Sequence, residues 1–334
     1  MVGTMFIRFL MLSVCLTCFF IIDIIYGSVT IPFQEVVMTL LGKSSHESWK
    51  LIIIEYRVPK AITALLAGIA LSISGLQMQT MFRNSLASPD LLGMSSGASL
   101  GVALVVLTKN VLPNFIWLQG QWLMVAAAIV GAVLVLFILL IVARNIQPAH
   151  LLVTGLMLTA LIGAFVSLLQ YFSRADDLQQ YIIWSYGAIN NVTWEQVPYL
   201  AITVFLGVIS ATWLQKPLNA WVLGEQYAQT LGVDIRRTKF FLVLSVAILA
   251  GGVTAFCGLI SFIAVAVPHI AFFVVRTSNL RILMPFTAIL GAILLLLCDI
   301  LCNLPRTSYT LPINIVTALW GSPLVIWLVM RKKQ

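Results

Sequence analysis

The chain has 334 residues, 61% of them hydrophobic and 9% charged, with a mean hydropathy of +1.05 and a formal net charge of +8. Soluble domains carry about 25% charged residues, so a water-soluble globule is excluded for want of polar surface to cover it. The apolar blocks are continuous, which argues against a transmembrane barrel, and the basic residues sit scattered at block ends, which argues against a nucleic-acid surface.

At about 20 residues per span, the length fits an all-α, polytopic membrane protein of about ten helices. The first span covers 5–25; it is too long for the apolar core of a signal peptide, and no small-residue cleavage site follows it. Residues 27–60 form a polar connection, with an amphipathic helix expected at 32–41. Within it, Gly42-Lys43-Ser44 resembles the end of a phosphate-binding loop, but Val37 stands where that loop needs glycine. Span 2, at 58–82, is rich in small and polar residues. Gly68, Ser72, Ser74, Gly75, Gln77 and Gln79 suit a helix that faces protein or a pore.

A turn at 83–89 leads to span 3, at 91–107, where Gly93, Gly97 and Gly101 make a small-residue ladder for close packing. Spans 4 and 5 cover 121–142 and 151–172, joined by a tight connection through Arg144 and Pro148. Residues 173–187 are polar and then aromatic, as at a membrane interface. Span 6 covers 194–214. The longest polar stretch of the chain follows at 218–239, carrying Glu225, Asp234, Arg236, Arg237 and Lys239. It reads either as a solvated linker or as a short helix at 223–231 stopped by Gly232. The last spans cover 282–302 and 311–330.

Residues 238–275 are long for one span and short for two. The positive-inside rule arbitrates. Two spans there give ten in all and cytosolic termini. Arg8, Arg83, Arg144, Lys216, Arg236, Arg237, Lys239, Arg276, Arg281, Arg331, Lys332 and Lys333 then lie inside, 12 of the 19 Lys and Arg. One span would leave only 8 inside. Ten spans place 218–239 in the cytosol and require the irregular backbone near Gly258 and Pro268 to be buried in protein.

Few residues suggest chemistry. Cys15, Cys18, Cys257, Cys298 and Cys302 match no zinc pattern. Asp299 and Asp23 lie near the outer ends of their spans, where either structural hydrogen bonding or an ion pathway fits. His269, after Pro268, suits a helix start or loop. Arg57 and Lys60, one turn apart at the outer end of span 2, either anchor the helix at the interface or dock an acidic partner.

The segments EYRVPKAITALLAGIALSISGLQMQTMFRNSLASPDLLGMSSGASLG, DLQQYIIWSYGAI, LNAWVLGEQYAQTLGV, GLISFIAVAVPHI, LMPFTAILGAILLLLCDI and LPINIVTALWGSPLVIWLV together resemble the iron-siderophore, cobalamin and haem ABC-importer permeases (FecCD-type). The resemblance runs from span 2 to the C-terminus. It implies a single permease domain over residues 1–334 in the bacterial cytoplasmic membrane, with no catalytic residues, resident metal or cofactor of its own. ATP and Mg belong to two partner ATPase subunits. A second permease subunit and an extracytoplasmic binding protein complete the assembly, and the cargo is a ferric siderophore, with cobalamin and haem as alternatives.

The resemblance also assigns residues. Leu218, Asn219, Leu223, Gly224, Glu225, Ala228, Leu231 and Gly232 fall in the ATPase-coupling segment at 218–239. Arg57 and Lys60 match the basic positions that dock the binding protein, with Arg306 nearby. Ser72, Ser74, Gln77, Gln79 and Gly97 are expected along the translocation pathway, and Pro148 and Ala149 at the cytosolic gate. The chain departs from the family pattern at Ala264-Val265, Phe272, Asn279-Leu280, Asn303 and Thr310. These departures imply an altered outer docking site and a non-identical second permease. An ion-coupled secondary carrier is the reading from another class. It needs paired, interrupted helices with several buried carboxylates at mid-membrane, which the sequence does not display.

Overall fold

The computed structural model of the chain describes residues 2–27, 29–43, 46–108, 121–143, 148–303 and 310–331. Fourteen helices are seen among them: α1 (Val2–Ile25), α2 (Phe33–Leu40), α3 (Glu47–Phe82), α4 (Met94–Leu107), α5 (Gln121–Ala143), α6 (Pro148–Phe172), α7 (Ala175–Ser185), α8 (Val197–Trp213), α9 (Gln215–Val222), α10 (Glu225–Thr230), α11 (Ile235–Cys257), α12 (Ile263–Val275), α13 (Leu280–Cys302) and α14 (Ile313–Arg331). Six are long and apolar enough to cross a bilayer; α8 with α9 forms a seventh, bent by 52°, and α4, α12 and α14 are shorter apolar helices.

The bundle is organised around α3. Of its most apolar 18-residue window 78% is buried, against none of the corresponding window in α1. The predicted span at 58–82 ends at Phe82 as expected, but the helix begins earlier, at Glu47, and passes through a π-helical turn at Ile52–Arg57. A π turn leaves carbonyls imperfectly paired, and the Ile54 carbonyl there accepts the Trp194 indole N–H at 2.7 Å.

Missing side chains let the helices approach. A Cβ on Gly68 would strike the Gly291 carbonyl of α13, and one on Gly75 would strike the Ala264 carbonyl of α12. Gly97 and Gly101 of α4 meet Gly131 and Ala127 of α5 in the same way. These contacts do the work that hydrophobic burial cannot do between helices in lipid.

Residues 238–275 resolve into two elements. The long α11 contains a π-helical turn at Ala247–Gly251, and the short α12 follows a reversal at Gly258 and Phe262. Gly258 has φ +71° and ψ −163°, open only to glycine. Its surroundings are protein, as irregular backbone at membrane depth requires: the Ala188 N–H reaches the Cys257 carbonyl at 2.7 Å, and the Ser261 N–H reaches Asn314 Oδ1 at 3.1 Å. Pro268 in α12 cannot bond the Ala264 carbonyl one turn back. The Gln79 amide of α3 comes within 3.5 Å of that oxygen and donates to the Val265 carbonyl at 3.0 Å.

Candidate functional site

Three groups of residues bear on function: the polar amides of α3, an ion cluster at one end of the bundle, and the α9–α10 pair at the other.

The α3 residues expected along a pathway are used inside the bundle. Ser72, Ser74 and Gln77 are fully buried. Ser72 and Ser74 donate to the carbonyls of Ile69 and Leu71 in their own helix. Gln77 Nε2 donates to Ser245 Oγ of α11 at 3.1 Å, and Ser210 of α8 donates to the same hydroxyl at 2.8 Å. A chain of polar groups thus ties three helices together, each satisfying the next. Gly97 is taken up by its approach to α5. Within the protomer these four residues are engaged by neighbouring helices or by their own helix. Buried amides in an apolar bundle must find protein partners, and here each has one. Gln79, half-buried, compensates the break at Pro268.

The ion cluster joins α1, α3 and α13. Lys60 Nζ lies 2.8 Å from Asp299 Oδ2 and 3.8 Å from Asp23 Oδ1. Asp23 accepts no hydrogen bond among the described residues, and the Asp299 contact is close without hydrogen-bond direction. The Arg57 guanidinium donates to the carbonyls of Ile24, Ile25 and Val29 at 3.0, 2.6 and 2.5 Å, capping the C-terminal end of α1 where a cation is favoured. Gly27 makes room for it; a Cβ there would sit 2.7 Å from Nη2. Arg57 and Lys60 are therefore turned inward, at 5% and 8% exposure. Docking a partner needs cations that water can reach, and little of either side chain is open at this end of the protomer. Arg306, the third expected docking residue, lies outside the described residues. Asp23 and Asp299 were legible as intramembrane carboxylates, but nothing in the sequence announced that they share Lys60.

At the opposite end, α9 leaves α8 through the 52° bend. Leu218 and Trp221 are buried against α3 and α13. Asn219 Oδ1 accepts the Leu280 N–H at 2.8 Å, and Asn219 Nδ2 reaches Asn279 Oδ1 at 3.3 Å, fixing α9 to the start of α13. Gly224, at φ +127° and ψ 153°, reverses the chain in a region other residues avoid. The next helix was expected over 223–231 and spans Glu225–Thr230. Its last carbonyls are closed by the Val233 N–H to Ala228 at 3.0 Å and the Gly232 N–H to Gln229 at 2.9 Å, with Gly232 at φ +81°. Ala228 is fully buried. Glu225 Oε1 lies 3.7 Å from Lys239 Nζ, tying α10 to α11, and the Asp234 carboxylate accepts the Arg237 N–H to start that helix. Helix α9 was not expected as an element of its own; most of it falls in the stretch read as a loop from 218. Its signal was Leu218 and Trp221 spaced three apart beside Pro217, a helix-start residue.

The result is a bracket of two short helices fixed to α3, α11 and α13. Leu223, Tyr227 and Leu231 stand out from it at 64%, 49% and 58% exposure, each four residues from the next. Pro148 and Ala149, the expected gate positions, open α6. His269 lies inside α12, away from its start, and its Nε2 is 2.7 Å from the Ser85 carbonyl in the α3–α4 turn.

The FecCD transport family model matches residues 15–331. The vitamin B12 import system permease protein BtuC of Salmonella typhi is 35% identical over 306 residues, 88% of this chain and 91% of that protein. The protein of the same name from Klebsiella pneumoniae subsp. pneumoniae is 38% identical over 287 residues, covering 85% and 84%. A solved structure described as an inward-facing conformation of a metal-chelate type ABC transporter superposes with a TM-score of 0.81 at 25% identity, covering 97% of this chain and 98% of that one. With a helical bundle of membrane-crossing length and a family match over nearly its whole length, the chain belongs to the FecCD transport family, as a permease of ABC importers.

Proposed function

We propose that this permease carries a large metal chelate, a ferric siderophore, into the bacterial cytoplasm, and that the α9–α10 bracket couples it to an ATPase. The observation that supports the coupling role is the exposed row Leu223, Tyr227 and Leu231 on a bracket anchored to three long helices. Three exposed apolar side chains, one before the Gly224 reversal and two on and just after α10, present an apolar surface that suits a partner. Anchoring at Leu218, Asn219, Glu225 and Ala228 means that a push on the row moves the spans behind it. ATP and Mg are bound by that partner, and this end of the protein faces the cytosol. The positive-inside count supports that orientation.

The pathway runs between this protomer and a second permease subunit, because the amides of α3 are already engaged within the bundle. A substrate-binding protein delivers the cargo at the opposite end, docking on surfaces other than Arg57 and Lys60. Pro148 and Ala149 take part in the cytosolic gate at the start of α6. Cobalamin is a second reading, favoured by the relatives named vitamin B12 permeases. Uptake by proteoliposomes holding the whole importer and its binding protein separates the two. ATP-driven accumulation of a radiolabelled ferric hydroxamate, uncompeted by cyanocobalamin, is expected. Cyanocobalamin accumulation with no iron uptake would replace the siderophore reading.

A further inference from the structure

At the end of the bundle opposite the bracket, α7 forms one wall of a half-enclosed cavity of about 370 Å³. Helix α8 fixes which end this is. It runs into the bracket at its far terminus, and Gln196, immediately before its start, lines the cavity. Gln121 and Met124 at the start of α5 and Phe256 near the end of α11 supply other walls.

Along α7, Asp176, Gln180 and Trp184 follow one another at intervals of four, so they share one face of the helix, and all three line the cavity. That face passes from water to the interior: Asp176 and Gln180 are exposed, and Trp184 is buried. Eight residues of helix rise about 12 Å, which separates an acidic mouth from an aromatic floor. Gln180 Nε2 is held by Met124 Sδ at 3.8 Å, and Gln180 Oε1 accepts no hydrogen bond among the described residues. Asp176 is in none of the ion pairs seen among the described residues, and no Lys or Arg is found on the described walls.

We infer that this cavity binds a small organic ammonium with an apolar body. The ammonium donates to the Asp176 carboxylate and the Gln180 carbonyl oxygen, and the apolar part lies against Trp184 and Phe256. Other ligand classes fit the lining badly. An anion would meet Asp176 with no cation on the described walls to offset it. A metal ion would find Asp176 as the sole acidic, His or Cys side chain on those walls. A wholly apolar guest would cover the carboxylate and the amides without pairing them. A cavity of this size, with an apolar floor and a few convergent polar groups, has the build of a small-molecule site, and its aromatic wall adds attraction for a cation. A ligand held there would tie α7 to α5 and α11. The inference is independent of what the permease transports.

The test is equilibrium dialysis of radiolabelled phenylbutylammonium against the purified full-length permease in detergent, with protein-free micelles as the blank. No ATPase, ATP or cargo is present, so failure here leaves the transport reading untouched. Saturable binding of one probe per chain is expected. The uncharged counterpart phenylbutanol should compete about tenfold less well than unlabelled probe, and phenylbutyrate not at all. One charge-assisted hydrogen bond corresponds to about tenfold in affinity, so Asp176→Asn is expected to weaken binding by about that factor. Glu195→Gln, which removes an exposed acid near the start of α8 that does not line the cavity, should retain full affinity. Asp176 is exposed and Asp177 remains to favour the start of α7, so an unchanged melting temperature is expected of both variants. No saturable binding to the unaltered protein, equal affinity for phenylbutanol, or full affinity in Asp176→Asn overturns the inference. An equal loss in Glu195→Gln also overturns it, because that marks a general effect of surface charge.

Discussion

Lys60 is the residue on which the sequence and the structure diverge most. From the sequence it is a basic residue at a helix end, suited to the interface. In the fold it is the shared counter-ion of Asp23 and Asp299, which lie on helices far apart in the chain. Sequence shows each charge and its depth in a span; it cannot show that three helices bring them together. Removing one partner of a buried ion group leaves uncompensated charge, at a cost of about 3–5 kcal/mol, whereas replacing the whole group by neutral residues is often harmless. Lys60→Met is therefore expected to lower the melting temperature in detergent sharply, and Lys60→Met with Asp23→Asn and Asp299→Asn to restore most of it. If Lys60→Met alone melted like the unaltered protein, the cluster would not be holding α1, α3 and α13 together. A binding-protein docking role for Lys60 predicts the opposite pattern, with stability unchanged and only complex formation lost.

At the scale of elements, the long helices were legible because an apolar run of about 20 residues has few other ways to satisfy its backbone in lipid. The Gly97 and Gly101 ladder was legible as a close-packing device and is one. The short helices α7 and α9 were not, since helices of this length are unstable alone and depend on partners remote in sequence. Tyr181 of α7 bonds Ser99 of α4 at 2.5 Å, and α9 depends on the burial of Leu218 and Trp221 and on Asn219. The partners of the α3 amides were not legible for a related reason. A polar stripe in a span can face a pore or its neighbours, and only the placement of Ser245, Ser210 and Pro268 decides between them. The glycine contacts give a direct check. Gly75→Leu would press a side chain into the backbone of α12 at Ala264, where no rotamer change can relieve it. Overpacking of this kind costs about 1–3 kcal/mol, to be read as a lower melting temperature. Gly163, whose Cβ position is open, is expected to accept Leu with little effect. Equal tolerance at both sites would show that α3 and α12 do not approach as closely as described.

For the whole molecule, the fold makes one bundle with two functional ends. At one end, Lys60 joins α1, α3 and α13 and Arg57 caps α1; at the other, a bracket fixed by Leu218, Asn219, Glu225 and Ala228 leaves three apolar side chains exposed. On the proposed function, ATP hydrolysis in an ATPase partner drives transport through the bracket. The measurement is ATP-dependent cargo uptake by proteoliposomes containing the complete importer, with ATP hydrolysis followed in the same vesicles. Leu223→Ser with Tyr227→Ser is expected to leave membrane insertion and melting temperature intact, because both side chains are exposed. It should remove most binding-protein-stimulated hydrolysis and, with it, uptake. Uptake that persists in this variant, or that runs on a proton gradient with ATP excluded, would rule out coupling through the bracket.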